Sequence, residues 1–216
     1  MKEGMAIPET LRERGGITRP WQRVEIKGFY RTGTNVTQWV IGEALGIPIT
    51  GLNTKHKPFV QRQRNMEAVI CTIKNPHAWM LSYAKYRKRN VGSTGPRFVR
   101  RAIAQYNEFY ESCLQTDNVW FIRHWDLLLH LPSVTAALAK QSRLPIEDVT
   151  LPEAWMGKYG IPATRKGKPR PFDKTYYTEK RYMNDLPNEW SEMIDKTADW
   201  EMLASFGFGK GGRLVT

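Results

Sequence analysis

The sequence predicts an α/β domain built on a parallel β-sheet with helices on both of its faces. Segments typical of strands and helices alternate along the chain in the order strand, helix, strand, helix, helix, strand, helix. Two of the strand segments, AVICTIK at 68–74 and NVWFIR at 118–123, are apolar over most of their length, as strands covered on both faces are. This order and this composition favour parallel strands joined by helical crossovers.

The boundaries of these elements follow from local signals. Gly46 and Pro48 end the amphipathic segment that begins at Asn35. Asn75 and Pro76 supply an N-cap and a first-turn proline for the helix after the second strand. The predicted elements are strands at 23–30, 68–74 and 118–123 and helices at 35–45, 76–89, 97–115 and 133–144.

We expect the whole chain, 1–216, to form one domain. Residues 1–20 are a polar lead-in, and 150–216 is expected to be a loop rich in Pro, Gly, Lys and Arg followed by short closing helices. No internal repeat and no long linker divides the sequence.

The composition favours an anionic partner. The formal net charge is +12 and the pI is about 9.8, which suits nucleic acid, a membrane surface or a phosphorylated ligand without deciding among them. No run approaches the roughly 20 apolar residues of a membrane span, so we expect a cytoplasmic protein with no membrane partner. With two cysteines, Cys71 and Cys113, and four histidines, neither a structural disulfide nor a metal site is expected.

The turn after the first predicted strand has the features of an anion-binding turn. Gly28 and Gly33 match the two glycines of the G-x-x-x-x-G pattern, and a helix follows. Thr34 and Asn35 stand where a nucleoside triphosphatase has Lys and then Ser or Thr, so the residues that hold the γ-phosphate and Mg²⁺ are missing. Arg31 supplies a cation earlier in the turn. We therefore expect an oxyanion here that does not require a metal.

A second pair of polar residues follows the next strand. Lys74 ends that strand, and Ser82 lies eight residues later in the predicted helix, within KNPHAWMLS. An ammonium group and a hydroxyl placed in this way can bind one phosphate group between them.

The two segments in this order resemble the cytosolic-type sulfotransferases, which use 3′-phosphoadenosine 5′-phosphosulfate (PAPS). The resemblance covers roughly 23–208 and implies a three-layer sulfotransferase fold like that of P-loop nucleoside triphosphate hydrolases. It also implies that the turn holds the 5′-phosphosulfate and that Lys74 and Ser82 hold the 3′-phosphate. The chain has Arg31 where the family usually has Lys, and Lys74 where it usually has Arg, so both charges are kept. The residues expected at the 5′ end are Arg31, Thr32, Gly33, Thr34, Asn35 and Val36.

Two further segments are similar to parts of the same family. FIRHWDLLLHLP resembles a strand-end pattern of the family, in which His124 takes the place of a tyrosine near the nucleotide. RKGKPR at 165–170 resembles the segment that covers the 3′-phosphate, which implies contacts from Arg165, Lys166 and Gly167. Trp125 or Phe29 is a candidate for stacking on adenine or lining the acceptor pocket.

The resemblance implies transfer of a sulfuryl group from PAPS to a hydroxyl or amine of a small-molecule or glycan acceptor. The displacement is in-line and independent of a metal, and Arg31 offsets the charge that develops on the leaving phosphate. His56, in TKHKPF, is the candidate general base, because a histidine titrates near neutral pH and the family has a histidine in such a segment. Glu43 is the alternative base. Lys55 or Lys57 is a candidate for stabilising the transferred group.

Three other functions stay open at this stage. One is a Mg-nucleotide-dependent kinase or triphosphatase with an atypical P-loop, and another is a sulfotransferase-like scaffold without activity. The third is a nucleic-acid-binding module that uses the basic clusters at 85–89, 97–101 and 165–170, although we do not expect nucleic acid to be the partner. The acceptor and the oligomeric state are also open. His77 and His130 are expected on helix surfaces.

Overall fold

A computed structural model describes residues 20–58, 68–89, 94–116, 119–144, 149, 151 and 173–214. Its centre is a four-stranded sheet in which every described pairing is parallel. The strands are β1 (Val24–Lys27), β2 (Ile49–Thr50), β3 (Val69–Ile73) and β4 (Val119–Arg123). Their order across the sheet is β2-β1-β3-β4. The predicted α/β class with a parallel sheet is therefore confirmed.

Nine described α-helices surround the sheet; three of them lie between its strands in the chain, and six follow its last strand. They are α1 (Thr34–Trp39), α2 (Pro76–Tyr86), α3 (Pro96–Leu114), α4 (His124–Leu129), α5 (Leu131–Ser142), α6 (Thr175–Thr178), α7 (Tyr182–Asp185), α8 (Asn188–Thr197) and α9 (Trp200–Ala204). A π-helical segment, Val40–Ala44, continues α1 directly. A small antiparallel ribbon closes the chain and consists of β5 (Phe208–Gly209) and β6 (Arg213–Leu214).

The two faces of the sheet pack against different helices. Side chains alternate along a strand, so Val69, Cys71 and Ile73 of β3 lie on one face and Ile70 lies on the other. The first face packs against α2, α3, α8 and α9, while the second packs against the π-helical segment, α4 and α5. This double cover explains why β3 and β4 are apolar nearly throughout.

Several predicted boundaries are wrong by a few residues or miss an element. The first strand is four residues long instead of eight, and the helix after β3 ends at Tyr86 instead of Arg89. The segment 35–45 forms an α-helix and then a π-helix instead of one regular helix, and the prediction missed both β2 and α4. The Asn75 cap is confirmed, since its side-chain oxygen accepts a hydrogen bond from the His77 amide over 3.0 Å.

The topology brings two strand ends together. After β1 the chain adds β2 on one side and then β3 on the other side, so the strand order reverses between β1 and β3. In parallel sheets, this reversal opens a crevice at the carboxyl ends of the two strands. The turn 28–33 and Lys74 follow β1 and β3 directly, so both lie at this edge.

Among the described residues, no helix combines the length and the apolar character that crossing a membrane requires. Cys71 and Cys113 are both buried free thiols, and their sulfur atoms are 3.6 Å apart between β3 and α3. Of the predicted lead-in at 1–20 and the predicted loop at the start of 150–216, residues 1–19, 150 and 152–172 lie outside the described residues.

Candidate functional site

The turn between β1 and α1 has a backbone shape suited to binding an anion. Arg31 and Gly33 both adopt left-handed backbone angles, with φ of 70° and 103°. The first hydrogen bond of the helix runs from the Thr37 amide to the Gly33 carbonyl over 3.2 Å. The amides of Thr34 and Asn35 therefore have no carbonyl one turn earlier in the helix to bond with, as at every helix start. Oriented amides of this kind attract oxyanions.

Close packing favours glycine at both positions, and at Gly33 the left-handed backbone favours it as well. A Cβ atom on Gly28 would lie 2.3 Å from the hydroxyl oxygen of Thr72 on β3. A Cβ atom on Gly33 would lie 3.0 Å from Cδ2 of the His124 ring. Below the turn, the hydroxyl of Thr32 is buried and donates to the Phe29 carbonyl over 2.7 Å. The turn is thus held tightly against β3 and against the start of α4.

Lys74 and Ser82 meet at the end of β3. The Asn75 cap starts α2 immediately after Lys74, so the lysine side chain lies beside the first two turns of that helix. The Lys74 ammonium donates to the Ser82 hydroxyl oxygen over 3.1 Å. Only 3% of Lys74 is exposed. The eight-residue spacing therefore places a cation and a hydroxyl side by side, as the sequence predicts.

Two aromatic residues complete this cluster. The His124 ring is buried at the start of α4, and its centroid is 5.1 Å from that of Tyr177 on α6. The Tyr177 ring lies 3.9 Å from the Lys74 ammonium, and its hydroxyl is 3.3 Å from the Ser82 hydroxyl. The Tyr177 phenol therefore lies beside the groups that are expected to bind a phosphate. Trp125 lines the cleft next to Lys74 and His124.

The electrostatics of the cluster favour an anionic ligand. Burial lowers the pKa of Lys74, and the nearby Arg31 charge lowers it further, although Tyr177 acts in the opposite direction. The pKa of His124 is well below its usual 6.5, first because of burial and then because of Lys74 and Arg31. In the part of the chain that the structure describes, no carboxylate forms an ion pair with Lys74. A buried cation without an acidic partner is costly unless an anion binds to it.

His56 contacts the beginning of the turn. Its Nδ1 atom is 2.7 Å from the carbonyl oxygen of Gly28, and its ring stacks on Tyr30 with centroids 4.4 Å apart. Burial lowers its pKa, and the charges of Lys55 and Lys27 add to this, while the bond to Gly28 has the opposite effect. A carbonyl can only accept, so Nδ1 carries the proton and Nε2 keeps a free lone pair.

Other residues predicted for the site either are poorly placed for the role expected of them or lie outside the described residues. Glu43 is exposed in the π-helical segment, more than two turns beyond the start of α1. Phe29 is buried in an aromatic cluster with Trp79 and Tyr106, so it is not exposed for stacking on a ligand. Arg165, Lys166 and Gly167 lie outside the described residues.

One predicted surface position is wrong. His77 is fully buried at the start of α2, with Nε2 3.3 Å from a carboxylate oxygen of Asp195 on α8 and its ring stacked on Trp200. Its partners lie far along the chain, so local periodicity gave no sign of them. Sequence reasoning also missed Tyr177, for the same reason.

Comparisons with known proteins leave the family open. No protein-family model matches this chain, and a search of the curated proteins found no match. The function must therefore be inferred from the geometry of the site.

Proposed function

We propose that this protein is a PAPS-dependent sulfotransferase with a P-loop-like fold, and that its donor site lies at the carboxyl ends of β1 and β3. The observation that carries the proposal is the Lys74–Ser82 contact of 3.1 Å, because it joins a hydroxyl to a buried cation that forms no ion pair with a carboxylate among the described residues. A second anion site, the turn at 28–33, lies at the same edge of the sheet. Two such sites suit one nucleotide that carries phosphates on both its 3′ and its 5′ oxygens.

The 3′-phosphate is assigned to Lys74 and Ser82. A lysine ammonium gives a phosphate a charge-assisted hydrogen bond, and the serine hydroxyl gives it a second donor. Tyr177 must move away from Ser82 to make room, since its hydroxyl is 3.3 Å from the serine hydroxyl. His124 is uncharged near neutral pH, so it serves as a hydrogen-bonding or packing group and not as a further cation.

The 5′ end is assigned to the turn. The amides from Gly33 to Val36 are expected to hold the 5′-phosphate, with the side chains of Thr34 and Asn35 adding contacts. Arg31 belongs to the same turn, and its charge is among the causes that lower the pKa of both Lys74 and His124, which supports a role for it at the same site. We assign Arg31 to the bridging oxygen, where negative charge develops as the bond to sulfur breaks.

When bound, PAPS supplies the sulfuryl group, and 3′-phosphoadenosine 5′-phosphate (PAP) is the leaving group. With its other ring nitrogen bonded to the Gly28 carbonyl, the Nε2 atom of His56 would accept the proton of the acceptor hydroxyl and so make its oxygen a nucleophile for the sulfuryl group. The bond from Nδ1 to the Gly28 carbonyl fixes the ring orientation that this transfer requires. Lys55, which donates to Asn35 over 3.0 Å, ties the histidine segment to the start of α1.

The proposal is tested by titrating the purified protein with PAP, AMP, ATP with Mg²⁺, and a short DNA duplex. A ligand that binds only the native state raises the melting temperature by mass action. The proposal predicts stabilisation by PAP, a weaker effect of AMP because it lacks the 3′-phosphate, and no requirement for Mg²⁺. Stabilisation by ATP only with Mg²⁺ would instead indicate a kinase or triphosphatase. Binding of DNA alone, with a steep dependence on salt, would indicate a nucleic-acid-binding module.

A further inference from the structure

The central strand of the sheet contains a buried ion pair. All four residues of β1 are buried, and Glu25 and Lys27 are each 1% exposed. The Lys27 ammonium lies 3.1 Å from the Glu25 carboxylate. Their register partners on β3, Val69 and Cys71, show that the pair lies on the face that packs against α2 and α3. Burying two charges costs about as much as their attraction returns, so such a pair is weak evidence for a role in stability.

The segment 51–58 covers the ion pair. The Thr54 hydroxyl donates to the Glu25 carboxylate over 3.0 Å, and the Lys27 ammonium donates to the Thr54 carbonyl over 3.1 Å. The backbone also lies close at Gly51, where an added Cβ would be 2.5 Å from a carboxylate oxygen of Glu25. Both members of the pair therefore bind the segment that leads to His56.

The same segment is bonded to the anion-binding turn. The Gly28 amide donates to the Lys55 carbonyl over 3.0 Å, and the Gly28 carbonyl accepts from Nδ1 of His56 over 2.7 Å. Gly28 follows Lys27 directly in the chain. The ion pair and Gly28 thus form one continuous set of contacts that ends at the histidine ring.

We propose that Glu25 and Lys27 are positioning residues that hold the segment 51–58, and through it His56, with Nδ1 protonated and Nε2 free. The inference rests on the proposed function only for the role of His56 as the base. The pair acts through Thr54 and touches neither substrate nor the reacting atoms. Among the described residues, the charges of Lys55 and Lys27 act on the ring, and Tyr30, which itself stacks on Tyr86 of α2, stacks on it.

The test is a ¹⁵N NMR titration of the full chain labelled at its histidines, without nucleotide. The His56 signals are assigned from the His56→Gln variant. The principal variant is the double substitution Glu25→Gln with Lys27→Met, which removes both charges of the pair together, so neither is left buried without the other. The control is Glu192→Gln with Lys196→Met, which removes an exposed ion pair on α8. Melting temperatures establish that each variant is folded.

The wild type and the control are expected to show neutral His56 with the proton on Nδ1 and a pKa below 6.5. In the double variant, we expect loss of the Nδ1–H signature and a pKa shifted toward 6.5, because the ring is less buried and the Lys27 charge is gone. A folded double variant with an unchanged His56 tautomer and pKa would overturn the proposal. If the double variant does not fold, the same NMR titration is done on Thr54→Val, which keeps both charges and removes the hydroxyl that donates to Glu25. An unchanged His56 tautomer and pKa in that variant would then overturn the proposal.

The outcome is independent of the donor. PAP affinity is measured on the same samples, and a chain that shows the His56 signature but binds no PAP would refute the proposed function while leaving the positioning role intact. The reverse result, PAP binding with Nε2 protonated in the wild type, would refute the positioning role and the assignment of His56 as the base, while leaving the donor site intact.

Discussion

Replacing Lys74 with methionine separates anion binding from folding. Methionine has a similar length and no charge, so it fills the space beside α2 without the ammonium group. In the free protein the ammonium is buried, its pKa is lowered by burial, and its described polar contacts are with Ser82 and Tyr177. The Ser82 hydroxyl keeps a contact of 3.4 Å to the Ala78 carbonyl after the change. The melting temperature of the free variant is therefore expected to be unchanged or higher.

The effect on the nucleotide is expected to be the opposite. A hydrogen bond to a charged group contributes about 1.5–3 kcal/mol, so losing it weakens PAP binding by roughly 10- to 150-fold. AMP lacks the 3′-phosphate, and its affinity should be the same for the variant and the wild type. The difference between the two ligands assigns the lost interaction to the 3′-phosphate.

Isothermal titration calorimetry with PAP and AMP measures both effects, and melting curves measure stability. The matched control is Lys196→Met, which replaces an exposed lysine on α8 and should change neither the nucleotide affinities nor the melting temperature. The assignment of Lys74 is refuted if its variant binds PAP as tightly as the wild type. It is also refuted if PAP and AMP lose affinity equally, or if the free variant melts several degrees lower.

Three further variants test other parts of the site. Tyr177→Phe removes the hydroxyl that competes for Ser82, so PAP should bind about 2- to 10-fold more tightly by calorimetry; weaker binding would show that the phenol contacts the nucleotide. Gly33→Ala should lower the free energy of unfolding by about 1–3 kcal/mol in urea, because of its left-handed backbone and the nearby His124 ring. Gly95→Ala is the control, because a Cβ at Gly95 would meet open space and its backbone angles suit any residue. An equal loss of unfolding free energy in Gly95→Ala would contradict the explanation given for Gly33. The pKa of His124 is lower in the folded protein than in the unfolded chain. Above pH 6.5 the ring is neutral in both states and does not affect stability, but as the pH falls from there toward the folded pKa, the unfolded chain binds the proton first and the free energy of unfolding decreases. Urea unfolding of His124→Gln should be less sensitive to pH between about 6.5 and 5, and an unchanged slope would argue against a neutral buried ring.

Much of the fold could be predicted because its signals are local. β3 and β4 are apolar since both faces of the sheet are covered, and a cap and a proline mark the start of α2. β2 was missed because two residues are too few to show a pattern. The π-helical segment was missed because hydrophobic periodicity does not distinguish it from a continued α-helix.

In the candidate site too, contacts between residues close in the chain could be predicted, and contacts between distant residues could not. Lys74 and Ser82 belong to one strand–cap–helix unit, so their spacing predicts that they meet. Tyr177 lies 95 residues beyond Ser82 and reaches it only through the tertiary fold. The ion pair of Glu25 and Lys27 goes against the apolar pattern expected of a central strand, and the structure explains it by the polar segment that covers it.

The most direct test of the donor site is a crystal structure of the protein with PAP. We expect the 3′-phosphate within hydrogen-bonding distance of Lys74 Nζ and Ser82 Oγ, and the 5′-phosphate on the amides of Thr34 and Asn35, with the Tyr177 hydroxyl displaced from Ser82. A nucleotide bound away from the ends of β1 and β3, or with its 3′-phosphate in solvent, would contradict the assignment.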